Sequence, residues 1–401
     1  MKTVYIEKCK GKGTGSSGGI NIQKPTGMVS IKDTRIENCE AEANGGGINL
    51  NNGNNAQCTL ENVTVNNCSA LRGGGIHAKA GTLTISGGLF RSNAASGSIA
   101  NGGGGAIYSE DAEITITECT IGGDDTNNGN YAVQGGGIFV SEDAKCTLNA
   151  GTKISGNTAM QMGADDGNGG GIFVNRASSG TAAGILTIEG TGTNPVIISG
   201  NTADYGGGVY NYGTADIKYA EIQENSVENN GGGMFNAGTC TMDGVTVKDN
   251  TASHQTNSAG NGGGIYSYDK LTLKDTTVTG NTAKMYGGGI HIAAGSTAFN
   301  MSGSSVITAD PSKNDVYLAD DLYITLTGKL TAGEETFARI TLNSSGSNGY
   351  KAGRVVVKGG TGFTGDLSDY KNKFTITDKL TSPYQWELSF TGGALKLKQK
   401  Q

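Results

Sequence analysis

The chain has 401 residues, of which 69 are glycine and only 4 are proline, and its formal net charge is −6. No cluster of lysine and arginine and no long apolar run is present, which argues against nucleic-acid binding and against a membrane span in this segment. Length alone would suggest two or three domains, but an internal repeat overrides that expectation because solenoids grow in one dimension.

The chain begins in the middle of a repeat. MKTVYIEKCK already has the pattern of the third strand of a unit, with Val4 and Ile6 in register and no apolar signal sequence before them. We therefore expect the numbered chain to be a fragment of a longer polypeptide that starts mid-coil.

The repeat is clearest in LTISGGLFRSNAASGSIANGGGGAI, which runs from Leu83 to Ile107. It contains an alternating apolar pair, a second apolar segment, an asparagine, a variable loop and a glycine run that ends on an apolar residue. That last residue recurs every 25 to 37 residues, and the variation in length falls in loops. Its positions are Ile20, Ile48, Ile76, Ile107, Ile138, Ile172, Val209, Met234, Ile265, Ile290 and Val316.

Two further apolar columns keep step with the first. One runs through Ile31, Leu60, Ile85, Ile116, Leu148, Ile188, Ile217, Met242, Leu273 and Met301. The other runs through Ile6, Ile36, Val65, Phe90, Ile121, Ile154, Ile198, Ile222, Val247, Val278 and Val306. Each unit thus offers three short segments with period-2 alternation, bounded by turn residues, and this pattern predicts strands.

A constant order of columns lets each strand lie beside its copy in the next unit. We therefore predict an all-β fold, a right-handed single-stranded parallel β-helix of about eleven coils over residues 1–326. Coils ~4.8 Å apart would make a rod roughly 50 Å long. A β-propeller is the main competitor, but its blades need ~40 residues or more, and the shortest units are too small for that.

Glycine and asparagine columns should hold the coils together. The glycine runs indicate backbone that bends sharply or packs closely against the next coil. Asparagines just past a strand can hydrogen-bond turn amides of their own and the next coil, which predicts an asparagine ladder. Its members are Asn93, Asn157, Asn201, Asn225, Asn250 and Asn281, with Cys9, Cys39 and Cys68 in the same column of the first three coils.

The residue after each marker forms an outward column of aromatic rings, because alternation turns it away from the core. We expect a solvent-facing strip of stacked rings that begins after Asn21 and Asn49 and ends at Tyr317. Its candidate ligand-binding members are His77, Tyr108, Phe139, Phe173, Tyr210, Phe235, Tyr266 and His291. The strip either stabilises the sheet by stacking or forms a flat platform for a glycan or a partner protein.

The seven cysteines show no CxxC pattern, so neither a zinc site nor a complete disulfide framework is indicated. Cys58, Cys146 and Cys240 fall on an apolar column and should be buried. One pair among Cys9, Cys39 and Cys68 lies close enough in principle to form a bridge.

From about residue 327 the glycine signature stops, and alternating segments such as FARITL, GRVVVKG and QWELSF follow. We predict a C-terminal β-strand cap over residues 327–401, because an open solenoid end would expose a sheet edge and the core.

Two short motifs stand out in the repeat, GGAI at Gly104 to Ile107 and FxxN at Phe90 to Asn93. With these motifs the repeats resemble those of chlamydial polymorphic outer membrane proteins, in which GGA is followed by Ile, Leu or Val. Other units relax these motifs, as in GGGV at 206–209 and ISGN at 198–201. The resemblance covers roughly residues 1 to 317 and implies a bacterial right-handed β-helix surface protein, extracellular or at the cell surface. Family members end in a membrane β-barrel, whereas this chain ends in ALKLKQKQ.

Acidic residues cluster only in two loops of consecutive coils. Asp124 and Asp125 lie in one, and Asp165 and Asp166 lie in the other, so the four carboxylates could hold Ca²⁺. The alternative is two solvated loops. No histidine is paired with a nucleophile, no phosphate-binding GxxxxGK motif occurs, and the outward threonines are too interrupted for ice binding.

The sequence therefore favours a non-enzymatic surface repeat protein. We expect an adhesin-like display or stalk module that binds a glycan or protein of a host or neighbouring cell. The alternative is a carbohydrate-active β-helix enzyme, a polysaccharide lyase or a glycoside hydrolase, with the four loop aspartates as its only clustered acids.

Overall fold

A computed structural model describes residues 3–13, 17–51, 53, 56–97, 103–123, 128–160, 167–254, 259–308, 315–333, 336–343, 349–378 and 385–400. The described chain is all-β, and its helical content is a single turn of 3₁₀ helix at Leu367–Tyr370. No helix in these ranges is long and apolar enough to cross a membrane.

The described strands form four sheets, numbered here in the order in which a coil passes through them. Sheet 1 follows the glycine runs and contains Ile20–Gln23, Ile48–Asn51, Ile76–Lys79, Ile107–Glu110, Ile138–Val140, Ile172–Val174, Val209–Asn211, Met234–Asn236, Ile265–Ser267, Ile290–Ile292, Val316–Leu318, Ala338–Leu342 and Phe374–Ile376. Sheet 2 contains Val29–Lys32, Gln57–Glu61, Thr82–Ser86, Glu113–Thr117, Lys145–Asn149, Ile185–Glu189, Thr214–Lys218, Thr239–Asp243, Leu271–Lys274, Phe299–Gly303, Ile324–Leu330, Val355–Gly359, Trp386–Thr391 and Ala394–Gln399.

Sheets 3 and 4 complete each coil. Sheet 3 contains Val4–Glu7, Thr34–Glu37, Thr64–Asn66, Leu89–Arg91, Thr120–Gly122, Lys153–Ser155, Val196–Ser199, Ala220–Gln223, Thr246–Lys248, Thr277–Thr279 and Val306–Ile307. Sheet 4 contains Lys10–Gly11, Glu40–Ala41, Ser69–Ala70, Ala94–Ala95, Tyr131–Ala132, Thr158–Ala159, Thr202–Ala203, Ser226–Val227, Thr251–Ala252 and Thr282–Ala283.

Parallel pairing in register confirms the predicted β-helix of about eleven coils. The marker residues Ile107, Ile138 and Ile172 lie directly beside one another in sheet 1. The second predicted column is in register throughout sheet 2, for example Ile85 beside Leu60. One assignment was wrong by a residue, because Val278 pairs with Ile307 rather than with Val306.

Sheet 4 is an element that the three predicted columns did not include. Its strands have two residues each, so no alternation can be recognised in the sequence. In the middle coils their second residues are small and buried and pack as a separate apolar column, made of Ala159, Ala203, Val227 and Ala252. A coil therefore has four faces, with the short fourth strand between the asparagine ladder and the glycine loop.

The inward columns of sheets 1 to 3 form one continuous apolar core. Cys58, Cys146 and Cys240 are buried within it, which confirms that part of the prediction. Desolvation raises the pKa of the Cys58 thiol to about 11 and that of Cys146 to about 12. These cysteines therefore act as small neutral core residues.

The glycine runs lie where the backbones of successive coils approach each other closely. In the motif GGAI at 104–107, the first glycine, Gly104, has a φ of +64°, in the left-handed region that costs glycine least. A Cβ built on the second, Gly105, would lie 2.3 Å from the carbonyl oxygen of Gly136 in the next coil. The third position is less restrictive, since it is Ala106 in this coil.

The asparagine ladder is present and completely buried. Asn201 illustrates its geometry: Oδ1 accepts from the backbone N–H and the Nδ2 of Asn157 at 2.9 and 3.0 Å. Its Nδ2 donates to the carbonyl of Ile154 at 3.0 Å and to Oδ1 of Asn225 at 2.9 Å. The same bonds link every predicted member from Asn93 to Asn281, through Asn130, which the sequence analysis missed.

The cysteines at the start of this column take the place of asparagines. The backbone N–H of Cys68 donates to Oδ1 of Asn93 at 3.0 Å, as an asparagine in the ladder does. The Sγ of Cys68 lies 3.7 Å from the carbonyl oxygen of Ile36. All seven cysteines lie in the described part of the chain and all are free, so the candidate bridge among Cys9, Cys39 and Cys68 is not formed.

The C-terminal region first continues the parallel stacking of the solenoid and then ends it with an antiparallel hairpin. Ala338–Leu342 and Phe374–Ile376 stack in parallel on sheet 1, and Val355–Gly359 stacks in parallel on sheet 2. The hairpin of Trp386–Thr391 and Ala394–Gln399 then adds two antiparallel strands to sheet 2. Parallel register thus extends past residue 326, and antiparallel pairing in this region is confined to the end of sheet 2.

Candidate functional site

The outward column of sheet 1 is a continuous aromatic stack. The rings of Phe139, Phe173, Tyr210 and Phe235 form an apolar cluster that is separate from the core inside the coils. Neighbouring ring centroids in the stack are 4.5 to 5.5 Å apart, and neighbouring planes differ by 3 to 23°. Its members in order are His77, Tyr108, Phe139, Phe173, Tyr210, Phe235, Tyr266, His291 and Tyr317.

The stack is not the solvent-facing strip that the sequence predicted. Tyr108 and Tyr266 are partly exposed, but each of the other members keeps 9% or less of its surface in contact with solvent. Stacking covers the ring faces, and side chains on both sides cover much of the ring edges. One flanking column precedes the glycine runs and includes Tyr205, whose ring lies edge-on to Phe235 at 5.6 Å.

A second flanking column follows the strands of sheet 1. Between them the two columns leave a groove over the stack, called here the sheet 1 groove. It has a volume of about 640 Å³. Its floor is formed by Tyr108, Phe139, Phe173, Tyr210 and Phe235. Its walls are formed by Gln134, Asn168 and Tyr205 on one side and by Ser141, Glu142, Asn175, Arg176 and Tyr212 on the other.

Tyr212 differs from the rings of the floor. Its plane is turned by 69° from Tyr210, at a centroid distance of 4.9 Å, and by 81° from Phe173. The guanidinium of Arg176 lies 5.5 Å from the centroid of the Tyr212 ring, within cation–π distance. Tyr212 also lines a second groove of about 400 Å³ with Tyr268, so it separates two depressions on the same face.

Glu142 is held in place by the loop that carries Arg176. Thr181 Oγ1 donates to Glu142 Oε2 at 2.7 Å, Ser178 donates to the same oxygen, and Asn175 Nδ2 donates to Oε1 at 3.3 Å. The hydrogen bond from Ser178, followed by that from Thr181, lowers the pKa of Glu142. This carboxylate is therefore ionised at neutral pH and lies near the positive charge of Arg176.

Burial also changes the tyrosine hydroxyls of the floor. Desolvation, then the hydrogen bond with Tyr212, raises the pKa of Tyr210 well above its ordinary value, and desolvation raises that of Tyr108. Both hydroxyls stay protonated at neutral pH and remain hydrogen-bond donors. The groove therefore offers hydroxyl and amide groups together with one carboxylate and one guanidinium.

At one end the stack joins a charged cluster. His77 is buried, with Nδ1 3.0 Å from Asn49 Oδ1 and Nε2 2.9 Å from Glu110 Oε2. Lys79 donates to Glu110 Oε1 at 2.6 Å. The His77 hydrogen bond, opposed by burial and assisted by Lys79, lowers the pKa of Glu110 to about 2. These contacts fix the end of the stack and lie outside the groove.

At the other end His291 is enclosed between Tyr266 and Tyr317, at ring distances of 4.8 and 4.5 Å. Its Nδ1 has no hydrogen-bond partner among the described residues, and desolvation lowers its pKa to about 4. His291 is therefore neutral at neutral pH and serves as a stacked ring.

The four acidic residues predicted to hold Ca²⁺ cannot be placed. Asp124, Asp125, Asp165 and Asp166 lie outside the described residues. Within the described ranges no group of three or more histidine, cysteine or acidic side chains is arranged to hold a metal ion. The calcium site remains a prediction.

The wall residues Tyr212, Arg176 and Glu142 were missed by the sequence analysis. The strand motif VYNY places Tyr212 two positions after the floor residue Tyr210, and IYSY repeats this spacing at Tyr266 and Tyr268. That spacing was the available signal for Tyr212. Arg176 and Glu142 gave none, because a loop of variable length brings them together.

The fold, the asparagine ladder and the aromatic stack define the class of protein. It is a parallel β-solenoid with an internal asparagine ladder and an external aromatic stack. No protein-family model matches the chain, and a search of curated proteins found no match.

Proposed function

We propose that this protein is a non-enzymatic display module, located outside the cell or on its surface, that attaches to a glycan or protein of a host or neighbouring cell. In this proposal it belongs among the bacterial surface β-helix proteins whose repeats resemble those of the chlamydial polymorphic outer membrane proteins. The relaxed GGA and FxxN motifs support that placement, and they support the location more than a particular ligand.

One observation carries the proposal: the sheet 1 groove contains a single carboxylate among its described lining residues, Glu142. Glycoside hydrolysis ordinarily requires two carboxyl groups, one of them with a raised pKa so that it can donate a proton. The pKa of Glu142 is lowered instead, and its oxygens are engaged by the neighbouring loop. These features favour binding over bond cleavage.

The rod itself suits display. Successive coils are linked by the buried hydrogen bonds of the asparagine ladder, so a site built across several coils keeps its shape. Loops that vary in length between the invariant columns can then differ in chemistry without disturbing the core.

The test is attachment of the purified chain to cells. Fluorescent beads coated with the protein should bind intact bacterial or mammalian cells more than beads coated with albumin. Soluble protein, incubated with a panel of polysaccharides, should release neither new reducing ends nor unsaturated products. Beads that bind no cell type would contradict the display function, and release of oligosaccharides would support the enzyme alternative.

A further inference from the structure

The sheet 1 groove has the dimensions of an extended chain that lies along the rod. Its floor is formed by rings from five consecutive coils, separated by centroid distances of 4.7 to 5.2 Å, so it is about 20 Å long. The spacing of the coils is close to the length of one pyranose residue in an extended glycan. A ligand of a few sugar residues could therefore meet similar groups at each step.

The polar groups of the groove match a ligand rich in hydroxyls and without net charge. Its two charged side chains have opposite signs, since Glu142 is ionised and Arg176 is a permanent cation. The remaining polar groups include the amides of Gln134 and Asn175 and the hydroxyl of Tyr212. Groups that both donate and accept are suited to sugar hydroxyls, which do the same.

Tyr212 is the side chain best placed to contact the apolar face of a sugar. Stacking on both neighbours occupies the faces of the floor rings, for example those of Phe139 and Phe173. The Tyr212 ring lies across the stack rather than within it, and the group over it is the exposed side chain of Arg176. An exposed arginine can move off the tyrosine ring when a ligand arrives and then donate hydrogen bonds to that ligand.

A peptide is a poorer fit to the same groove. Addition of an extended strand needs a free sheet edge, and the strands of sheet 1 beneath the groove are paired on both sides. A helical peptide needs an apolar groove, and a proline-rich peptide needs open aromatic faces. The polar walls and the stacked floor provide neither.

We propose that the sheet 1 groove binds a neutral oligosaccharide chain lying along the solenoid axis, with Tyr212 and Arg176 as its principal contacts. This inference rests on the proposed function and specifies the ligand class and the contact residues. The stacked rings form the floor of the site and supply edges and hydroxyls.

The experiment uses the full chain on an array of immobilised neutral and acidic glycans, followed by calorimetric titration of the best neutral oligosaccharide. We expect binding by the wild-type protein. Tyr212→Ala should weaken the affinity about tenfold, and Arg176→Ala about fivefold, through loss of ring contact and of charged hydrogen bonds. Tyr212→Phe keeps the ring and should retain most of the affinity.

Two controls separate binding from folding. Arg176 is exposed, so its replacement leaves the packing of the coils intact, and circular dichroism should show unchanged melting. Tyr5→Ala removes a tyrosine that is 69% exposed on sheet 3 and should bind as the wild type does.

Three results would overturn the inference: no neutral glycan bound, unchanged affinity in both the Tyr212→Ala and the Arg176→Ala variants, or binding only to acidic glycans or peptides. Bead attachment distinguishes this failure from failure of the proposed function. Beads that carry both substitutions and still attach to cells would refute the groove alone, whereas wild-type beads that never attach would refute the display function.

Discussion

Replacing one asparagine of the ladder tests whether the ladder stabilises the rod. Asn201→Leu keeps nearly the same side-chain shape and removes all four hydrogen bonds described above. At roughly 1 kcal/mol net for each bond, the expected loss in free energy of unfolding is about 4 kcal/mol. The former partners of Asn201 stay buried without new hydrogen bonds, and this desolvation adds to the loss.

Equilibrium urea unfolding followed by circular dichroism measures this loss. Solenoids can unfold unit by unit, so the hydrogen exchange of amides in the coils around residue 201 should be measured as well. Asn201→Cys is the matched variant, since cysteine occupies the same column in the first coils, and it should be less destabilising than leucine. A loss below 1 kcal/mol for Asn201→Leu would refute the reasoning.

A double substitution tests the connection between neighbours. Asn157 and Asn201 share one side-chain hydrogen bond, at 3.0 Å. Replacing both by leucine should therefore lower the free energy of unfolding by about 1 to 2 kcal/mol less than the sum of the two single losses. The sum counts the shared bond twice, and in the double variant neither side chain keeps an unpaired amide group from that bond. Strict additivity would show that the ladder is a set of independent bonds.

Three further predictions concern the stack, the glycines and the cysteine column. The pKa of His291 lies at about 4 in the folded chain and 6.5 in the unfolded chain, so stability present above pH 6.5 should be lost as pH falls towards 4, by roughly 3 kcal/mol. The free energy of unfolding in urea, measured at pH 7.5 and at pH 4, should therefore fall less in the His291→Phe variant than in the wild type. An equal fall in both proteins would contradict the lowered pKa of His291. Gly105→Ala should destabilise the protein by about 3 kcal/mol in the same assay at neutral pH, because the added Cβ meets the backbone of the next coil. Ala106→Gly should change the stability by only about 1 kcal/mol. Equal effects of the two substitutions would contradict the close packing of the coils at Gly105. Cys68→Asn would extend the ladder towards the carbonyl of Ile36 and should raise the urea midpoint, by about 1 kcal/mol in free energy, and a lower midpoint would be the contrary result.

The sequence by itself determined the coil and its inward columns. Every coil repeats the same local requirement, an apolar residue at alternate positions and a glycine where two backbones meet, so the pattern is readable within one unit. The buried cysteines and most of the asparagine ladder followed from the same alignment of units. Asn130 escaped because a loop insertion after Ile121 moves it away from its usual spacing.

The tertiary structure alone decided what covers each surface and which loops meet. Alternation showed that Phe173 points away from the core, but its burial depends on side chains contributed by neighbouring coils and by both flanking loops. Arg176 reaches Tyr212 across a coil boundary, and no spacing in the sequence encodes that contact. Local periodicity fixes the direction of a side chain, whereas the partners it meets depend on loops whose paths are set only when the coils stack.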